Sequence, residues 1–169
     1  MPRKKQTDIK KTLKGYSESF QKDGKPISVN FRALVPELKK AERYTHLIHS
    51  YPAKLLTNIP YFFFATDTLC PSNGIVLDPF CGTGTVLLEA ALSGRNAWGA
   101  DSNPLAELIT IVKTSYLTRE DLIETLDKII NSARRSKTIA PIPEAVAVWY
   151  SPSTLPQLAA LQTSISRIK

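Results

Sequence analysis

Two acidic residues, each placed after a short apolar segment, flank a glycine loop in the middle of this chain. Asp78 follows the apolar residues 75–77, and a loop containing Gly82 and Gly84 comes directly after it. These glycines let the backbone turn sharply and let a ligand approach it closely. Asp101 lies 23 residues beyond Asp78. A carboxylate at that distance can accept hydrogen bonds from the two hydroxyls of a ribose.

The ligand that suits this loop is a nucleoside without a pyrophosphate. A pyrophosphate loop has the pattern G-x-G-x-x-G and no carboxylate beside the phosphates. This loop has no third glycine and begins with Asp78. An acid in that place repels phosphate and favours an ammonium or sulfonium group. The residues therefore predict S-adenosylmethionine as the cofactor.

A strand, a helix and a second strand are needed to position these residues. The apolar run at 75–77 predicts a strand buried on both faces. The spacing of apolar residues predicts a helix from Thr85 to a stop at Ser93-Gly94. Residues 96–100 predict the second strand. This is half of a nucleotide-binding βαβ unit, so the predicted fold class is α/β.

The whole segment resembles motifs I and II of the S-adenosylmethionine-dependent amino-methyltransferases of DNA, which methylate N4 of cytosine or N6 of adenine. The strings that carry the resemblance are D-P-F-C-G-T-G-T at 78–85, E-A-A at 89–91 and G-A-D-S-N-P at 99–104. The resemblance implies a Rossmann-like methyltransferase fold. It also implies that the methionine part of the cofactor is bound by the loop residues Asp78, Phe80, Cys81, Gly82, Thr83, Gly84 and Thr85, and the adenosine part by Asp101, Ser102 and Asn103.

A second resemblance lies upstream, in H-S-Y-P-A-K-L at residues 49–55. This segment is similar to motif X of the same family, which closes over the methionine end of the cofactor. The matching positions are His49, Tyr51 and Lys54. The segment favours a DNA enzyme over the related RNA guanine methyltransferases, which share much of the loop string. His46 and His49 have a spacing compatible with zinc, but no suitable third ligand stands nearby, so no metal is expected.

The catalytic motif of the resembling family is missing. In that family an Asp, Asn or Ser followed by Pro-Pro and an aromatic residue holds the target amine. None of the 12 prolines of this chain is adjacent to another, so no catalytic residue is predicted. We therefore expect an incomplete fold that lacks the catalytic half of its sheet. A complementary polypeptide with the Pro-Pro motif is the expected partner.

The positive charge of the chain is concentrated in its first third. The net charge is +7, and residues 1–54 hold 13 Lys and Arg against 5 Asp and Glu. A basic segment beside a neutral domain is expected for a protein that binds DNA, because phosphate contacts release counterions. The alternative is that the lysines only keep the chain in solution. The predicted organisation is a basic flexible arm at 1–26 and a partial cofactor-binding domain at 27–169.

The remaining segments predict further elements. They are a short strand at 27–31, a brief helix from Pro36, a helix or broken helix at 55–69, helices that begin at Pro104 and Thr118, a strand at 146–150 and a final helix from 154 to 169. In the third of these, Phe62, Phe63 and Phe64 are interpreted as core residues rather than as a platform for bases. The helix from Pro104 is expected to bury Leu105, Leu108, Ile109 and Val112.

No segment resembles a membrane helix or a signal peptide, which predicts a cytoplasmic protein with both cysteines as thiols. The leading functional hypothesis is the cofactor-binding part of a site-specific DNA methyltransferase, from a restriction-modification system and inactive without its catalytic half. The alternatives are a non-catalytic fragment that binds S-adenosylmethionine or docks on a partner, and a fragment of an RNA guanine methyltransferase.

Overall fold

The computed structural model describes residues 8–35, 44–52, 54–136 and 141–168, and they form an α/β structure. The chain divides into two compact units, residues 1–115 and residues 116–169. The elements of the first unit are α1 (Ile9–Asp23), α2 (Phe31–Leu34), a 3₁₀ turn (Tyr44–Leu47), α3 (Asn58–Phe64), β1 (Ile75–Asp78), α4 (Thr85–Leu92), β2 (Asn96–Gly99) and α5 (Pro104–Thr114). Those of the second unit are α6 (Arg119–Arg135), α7 (Glu144–Ala147) and α8 (Leu155–Ser166).

The predicted strand–loop–helix–strand unit is confirmed. β1 and β2 pair in parallel, with Ile75 opposite Asn96 and Asp78 opposite Gly99. α4 connects the two strands and packs against both. Because the strands are parallel and adjacent, the chain leaves both of them at the same edge of the sheet. That edge carries the loop after β1 and the acidic turn after β2.

One face of this sheet is covered and the other is open among the described residues. α4 covers one face, and its Leu87 lies so close to β2 that a Cβ added at Gly99 would be 2.8 Å from Leu87 Cδ2. On the other face Ile75 and Leu77 are each 70% exposed and Trp98 is 69% exposed. The prediction that the first strand is buried on both faces was therefore wrong for the described part of the chain.

The basic amino-terminal segment contains regular structure that the sequence did not predict. α1 is capped at its start by the Asp8 side chain and ends at Gly24, which has a φ of +62°. Its side chains Ile9 and Leu13 pack against a small core made by Val35 and Phe62. Residues 9–23 of the predicted flexible arm at 1–26 are therefore a helix that packs on this core.

Three other local predictions need correction. Residues 27–30 form no strand, and α2 begins at Phe31. The strand predicted at 146–150 is instead α7 followed by a turn. Only Asn58–Phe64 of the region 55–69 is helical. The brief helix expected from Pro36 lies outside the described residues.

The interpretation of the three phenylalanines as core is confirmed for Phe62. It is 3% exposed and contacts the rings of Phe31 and Phe63 edge-on, at centroid distances of 5.4 and 5.6 Å. Phe63 is 39% exposed, so it covers this small core from outside.

The second unit is a packed pair of helices. α6 begins at the predicted cap, where the Thr118 hydroxyl accepts from the Asp121 amide at 3.1 Å. α6 packs against α8, and the hydroxyl of Ser164 donates to that of Ser132 at 3.2 Å. α8 ends at Ser166, short of the predicted end. No helix in the described ranges is both long enough and apolar enough to cross a membrane.

Candidate cofactor site

The glycine loop after β1 is held against the end of β2 by backbone hydrogen bonds. The Ala100 amide donates to the Asp78 carbonyl at 3.1 Å, and the Cys81 amide donates to the Ala100 carbonyl at 2.9 Å. Gly82 and Gly84 have φ values of +49° and +69°. Side chains other than glycine rarely adopt these conformations. The sequence prediction of a sharp glycine turn is confirmed.

A cavity of about 490 Å³ opens beside this loop. Its volume lies in the range of small-molecule sites. Eight of the predicted site residues line it, together with Leu55, Leu77 and Val86: they are Tyr51, Lys54, Asp78, Phe80, Cys81, Gly82, Thr83 and Thr85. The structure therefore brings the first-motif loop and the upstream segment together. Phe80 is 88% exposed, so its ring is available at the cavity.

Asp101 occupies the turn after β2 and contacts the loop from the side. One carboxylate oxygen accepts from the Gly82 amide at 2.8 Å, and the other accepts from the Asn103 amide at 2.9 Å. Asp101 borders a second depression of about 400 Å³, which shares only Cys81 with the first. The predicted residues thus lie on two sides of the loop.

Asn103 links three parts of the site. Its side-chain oxygen accepts from the Leu105 amide at 3.0 Å and caps α5. Its side-chain nitrogen donates to the Tyr51 hydroxyl at 2.9 Å, which joins the upstream segment to the turn after β2. Gly84 is the N-cap of α4 and does not line the first cavity. His49 and Ser102 are exposed and line neither depression.

A buried ionisable pair fixes the start of the upstream segment. His46 Nε2 lies 3.0 Å from a carboxylate oxygen of Glu89 on α4, and both residues are 1% exposed. The Lys54 ammonium donates to the His46 carbonyl at 2.7 Å. No three His, Cys, Asp or Glu residues within the described ranges are grouped to hold a metal ion.

Two residues of α5 that the sequence did not single out support the loop from beneath. The Thr110 hydroxyl donates to the Gly82 carbonyl at 3.0 Å, and the Lys113 ammonium donates to the Thr83 carbonyl at 2.6 Å. Lys113 is 3% exposed. Thr110 and Lys113 lie three positions apart, so they share one face of the helix.

The buried face of α5 differs from the predicted one. The residues buried there are Ala106, Ile109, Thr110 and Lys113. Leu105, Leu108 and Val112, which were expected inside, are 46%, 58% and 43% exposed. Of the predicted face, only Ile109 is correct. The prediction missed Thr110 and Lys113, which lie one and four positions after Ile109, and no apolar pattern in the helix marks them as buried.

Burial changes the acidity of two groups around the loop. It lowers the pKa of Lys113 to about 8, and the nearby positive charge of Lys54 acts in the same direction. Burial also raises the pKa of the Cys81 thiol, and the carboxylates of Asp78 and Asp101 add to that increase. A hydrogen bond with Thr110 partly opposes it. Cys81 is therefore a neutral thiol at neutral pH.

Comparison with known proteins identifies relatives of this chain. The family model described as DNA methylase, for N6 and N4 methyltransferases, matches residues 3–112. The chain is 31% identical over 91 residues to the type II methyltransferase M.MvaI of Kocuria varians, across 53% of this chain and 20% of that protein. It is 28% identical over 96 residues to the type II methyltransferase M.MjaII of Methanocaldococcus jannaschii, across 57% of this chain and 18% of the relative.

The match spans about a fifth of each of these relatives. Among solved structures, none matches the chain.

Proposed function

This chain belongs to the DNA methylase family, and we propose that it forms the S-adenosylmethionine-binding part of a site-specific DNA methyltransferase. The cofactor supplies a methyl group on a positively charged sulfur, for in-line transfer to N4 of cytosine or N6 of adenine. The type II methyltransferases among its relatives favour a role in a restriction-modification system. The observation that carries the proposal is the 490 Å³ cavity, where the loop after β1 meets Tyr51 and Lys54.

The residues around the loop fit the proposed cofactor. Asp78 lines the cavity and offers a carboxylate to the ammonium or sulfonium group. Phe80 offers an exposed ring beside it. Gly82 leaves open space where a side chain would begin, since an added Cβ meets no atom within 4 Å. These three residues, with Cys81, Thr83, Gly84 and Thr85, are proposed to hold the methionine part.

Asp101 and its neighbours are proposed to hold the adenosine part. Each carboxylate oxygen of Asp101 accepts one bond from a backbone amide. A carboxylate oxygen has two lone pairs, so each keeps an acceptor position for a ribose hydroxyl. The amides also fix the orientation of the carboxylate before a ligand arrives. Ser102 and Asn103 follow Asp101 in this turn and are proposed to contact the adenosine as well.

From the family resemblance, His49, Tyr51 and Lys54 are proposed to lie at the methionine end of the cofactor.

Calorimetric titration of the purified chain with S-adenosylmethionine and with S-adenosylhomocysteine tests the cofactor proposal. The second ligand lacks the positive charge on sulfur. If Asp78 faces the sulfonium, Asp78→Asn weakens binding of the methylated ligand more; if it faces the ammonium, both bind more weakly. Asp127→Asn on α6, an exposed aspartate in the other unit, is the matched control. Unchanged binding of both ligands to Asp78→Asn would contradict the assignment.

DNA is the proposed macromolecular partner, and α1 offers a surface for it. Lys10, Lys11 and Lys14 are exposed. At 100° per residue they fall on one side of the helix, away from the packed Ile9 and Leu13. Changing all three lysines to glutamine should lower the slope of log affinity against log salt by up to about 0.9 for each lost phosphate contact. Fluorescence anisotropy with duplex DNA measures that slope, and an unchanged slope returns the lysines to a solubilising role.

A complementary polypeptide is the proposed supplier of the catalytic motif. Such a partner would cover the open apolar face of the sheet, which is formed by Ile75, Leu77 and Trp98. Co-expression with a polypeptide that carries the Pro-Pro motif should allow transfer of labelled methyl groups to DNA. Robust transfer by the purified chain alone would contradict the proposal. The family match favours DNA over the alternative RNA guanine substrate.

A further inference from the structure

α5 contacts two successive carbonyl groups of the glycine loop. The hydroxyl of Thr110 donates to the Gly82 carbonyl, and the ammonium of Lys113 donates to the Thr83 carbonyl. Lys113 does not line the 490 Å³ cavity, whereas Thr83 does. The lysine therefore acts on the inner side of the loop, and the cavity lies on its outer side.

These two contacts determine where the loop amides point. A trans peptide unit is planar, and its carbonyl points opposite to the N–H of the next residue. With the Gly82 carbonyl directed at α5, the Thr83 amide points away from α5. With the Thr83 carbonyl directed at α5, the Gly84 amide points away as well. The latter closes the turn by donating to the Cys81 carbonyl at 2.8 Å.

The helix that provides this support is itself anchored. The Thr45 hydroxyl donates to the Lys113 carbonyl at 2.8 Å. The loop approaches α5 so closely at Gly84 that an added Cβ would lie 2.7 Å from Thr110 Cγ2. The close approach at Gly84, the hydrogen bonds from Thr110 and Lys113, and the anchoring of α5 by Thr45 therefore hold the loop in one arrangement.

We propose that Lys113 is a positioning residue of the cofactor site, which holds the glycine loop in its ligand-binding conformation without touching the ligand. An ammonium group is strongly hydrated in water, and its burial is unfavourable unless it is hydrogen-bonded. Placing one here weakens the fold compared with an apolar side chain of the same length. The Lys113 ammonium donates to the Thr83 carbonyl and so fixes the direction in which that carbonyl points. The affinity effect rests on the proposed cofactor function, whereas the effect on the loop does not.

The test compares Lys113→Met, which has a similar length and no donor, with Lys113→Gln, which keeps a donor. Lys22→Met is the matched control, since Lys22 is an exposed lysine in the last turn of α1. Hydrogen–deuterium exchange of the peptides covering residues 79–85 is measured without ligand. Calorimetric titration with S-adenosylmethionine is measured on the same proteins, with urea unfolding as the check that each is folded.

We expect the peptides covering residues 79–85 to exchange about tenfold faster in Lys113→Met than in the parent, and this variant to bind the cofactor about tenfold more weakly or worse. Lys113→Gln should recover part of both effects, and Lys22→Met should show neither. If Lys113 had only a structural role, Lys113→Met would change the free energy of unfolding and leave both the loop exchange and the affinity of the folded chain unchanged. Loop exchange that is unaltered in Lys113→Met overturns the inference, whatever the affinity. Faster exchange in a chain whose parent binds no cofactor supports the inference and overturns the proposed function instead.

Discussion

Gly84→Ala separates the two reasons for a glycine at the start of α4. Gly84 has a φ of +69°, and an alanine Cβ there would lie 2.7 Å from Thr110 Cγ2 and 2.8 Å from its hydroxyl oxygen. The conformation alone costs about 1–2 kcal/mol. The forced contact adds about 1–3 kcal/mol, as overpacking does in other cores. We therefore expect Gly84→Ala to destabilise the first unit by about 2–5 kcal/mol.

Gly94→Ala is the matched control at the other end of the same helix. Gly94 has a φ of +75°, but an added Cβ meets no atom within 4 Å. Its substitution costs the conformational part only, about 1–2 kcal/mol. Both substitutions restrict the unfolded chain equally, so that contribution cancels in the comparison.

Urea unfolding followed by circular dichroism gives the two destabilisations and their difference. A double-mutant cycle with Thr110→Ala then assigns that difference to the contact between the loop and α5. Thr110→Ala removes Cγ2 and the hydroxyl but keeps Cβ at 3.1 Å from the added atom, so in that background Gly84→Ala should cost less than in the parent, approaching the cost of Gly94→Ala. Equal destabilisation by Gly84→Ala and Gly94→Ala in the parent would refute the reasoning, since it would mean that the loop does not press against α5.

Three further predictions concern charge and burial around the loop. Asp101→Ala should weaken S-adenosylmethionine binding about tenfold to a hundredfold by calorimetry, because charge-assisted hydrogen bonds are lost; equal affinity would contradict this. Alkylation at pH 8, followed by mass spectrometry, should modify Cys70 before Cys81, whose thiol is 8% exposed and has a raised pKa. Between pH 8 and 10.5, Lys113 is unprotonated in the folded chain but protonated in the unfolded chain. Over this range the free energy of unfolding of the parent should therefore rise by on the order of 3 kcal/mol relative to that of Lys113→Met. Parallel stability profiles of the two proteins would contradict this prediction.

The central unit could be predicted from the sequence because its signals are local. Gly82 and Gly84 have positive φ values, which few other residues adopt. Pro104 suits the first turn of α5. In the second unit, the Thr118 hydroxyl caps α6 in the same local way. Each of these effects acts within a few residues. The same local strings predicted most of the residues that line the 490 Å³ cavity.

α1 was not predicted, and the contacts on which it packs are distant in the sequence. Its sequence contains Gly15 and many charges, and short helices of that kind are marginal in water. Val35 and Phe62 give Ile9 and Leu13 a surface to pack on, and they stand more than 20 positions further along the chain. A local signal was also missed, since Ile9, Leu13, Tyr16 and Phe20 recur at helical spacing between the Asp8 cap and Gly24.

The predicted rotation of α5 about its axis was wrong because the contacts that set it also come from outside the helix. Apolar periodicity places leucines inside, yet Leu105 and Leu108 stay exposed among the described residues. The face turned inward is selected by the contacts of Thr110 and Lys113 with the loop. Those contacts depend on the loop conformation, which in turn depends on Asp101 and two glycines. A pattern within the helix cannot report them.

This arrangement has a consequence for the order of cofactor binding and assembly. The loop is fixed by polar contacts made inside the first unit: the Asp101 carboxylate on one side, and Thr110 and Lys113 beneath. The open apolar surface on α5 around Leu108 takes no part in those contacts, whereas Leu77 on the open sheet face also lines the 490 Å³ cavity. The proposed partner would therefore border the cavity at Leu77 without replacing the polar contacts that hold the loop. We therefore expect the chain alone to bind the proposed cofactor in a calorimetric titration, and binding that is detectable only in the co-expressed pair would contradict this.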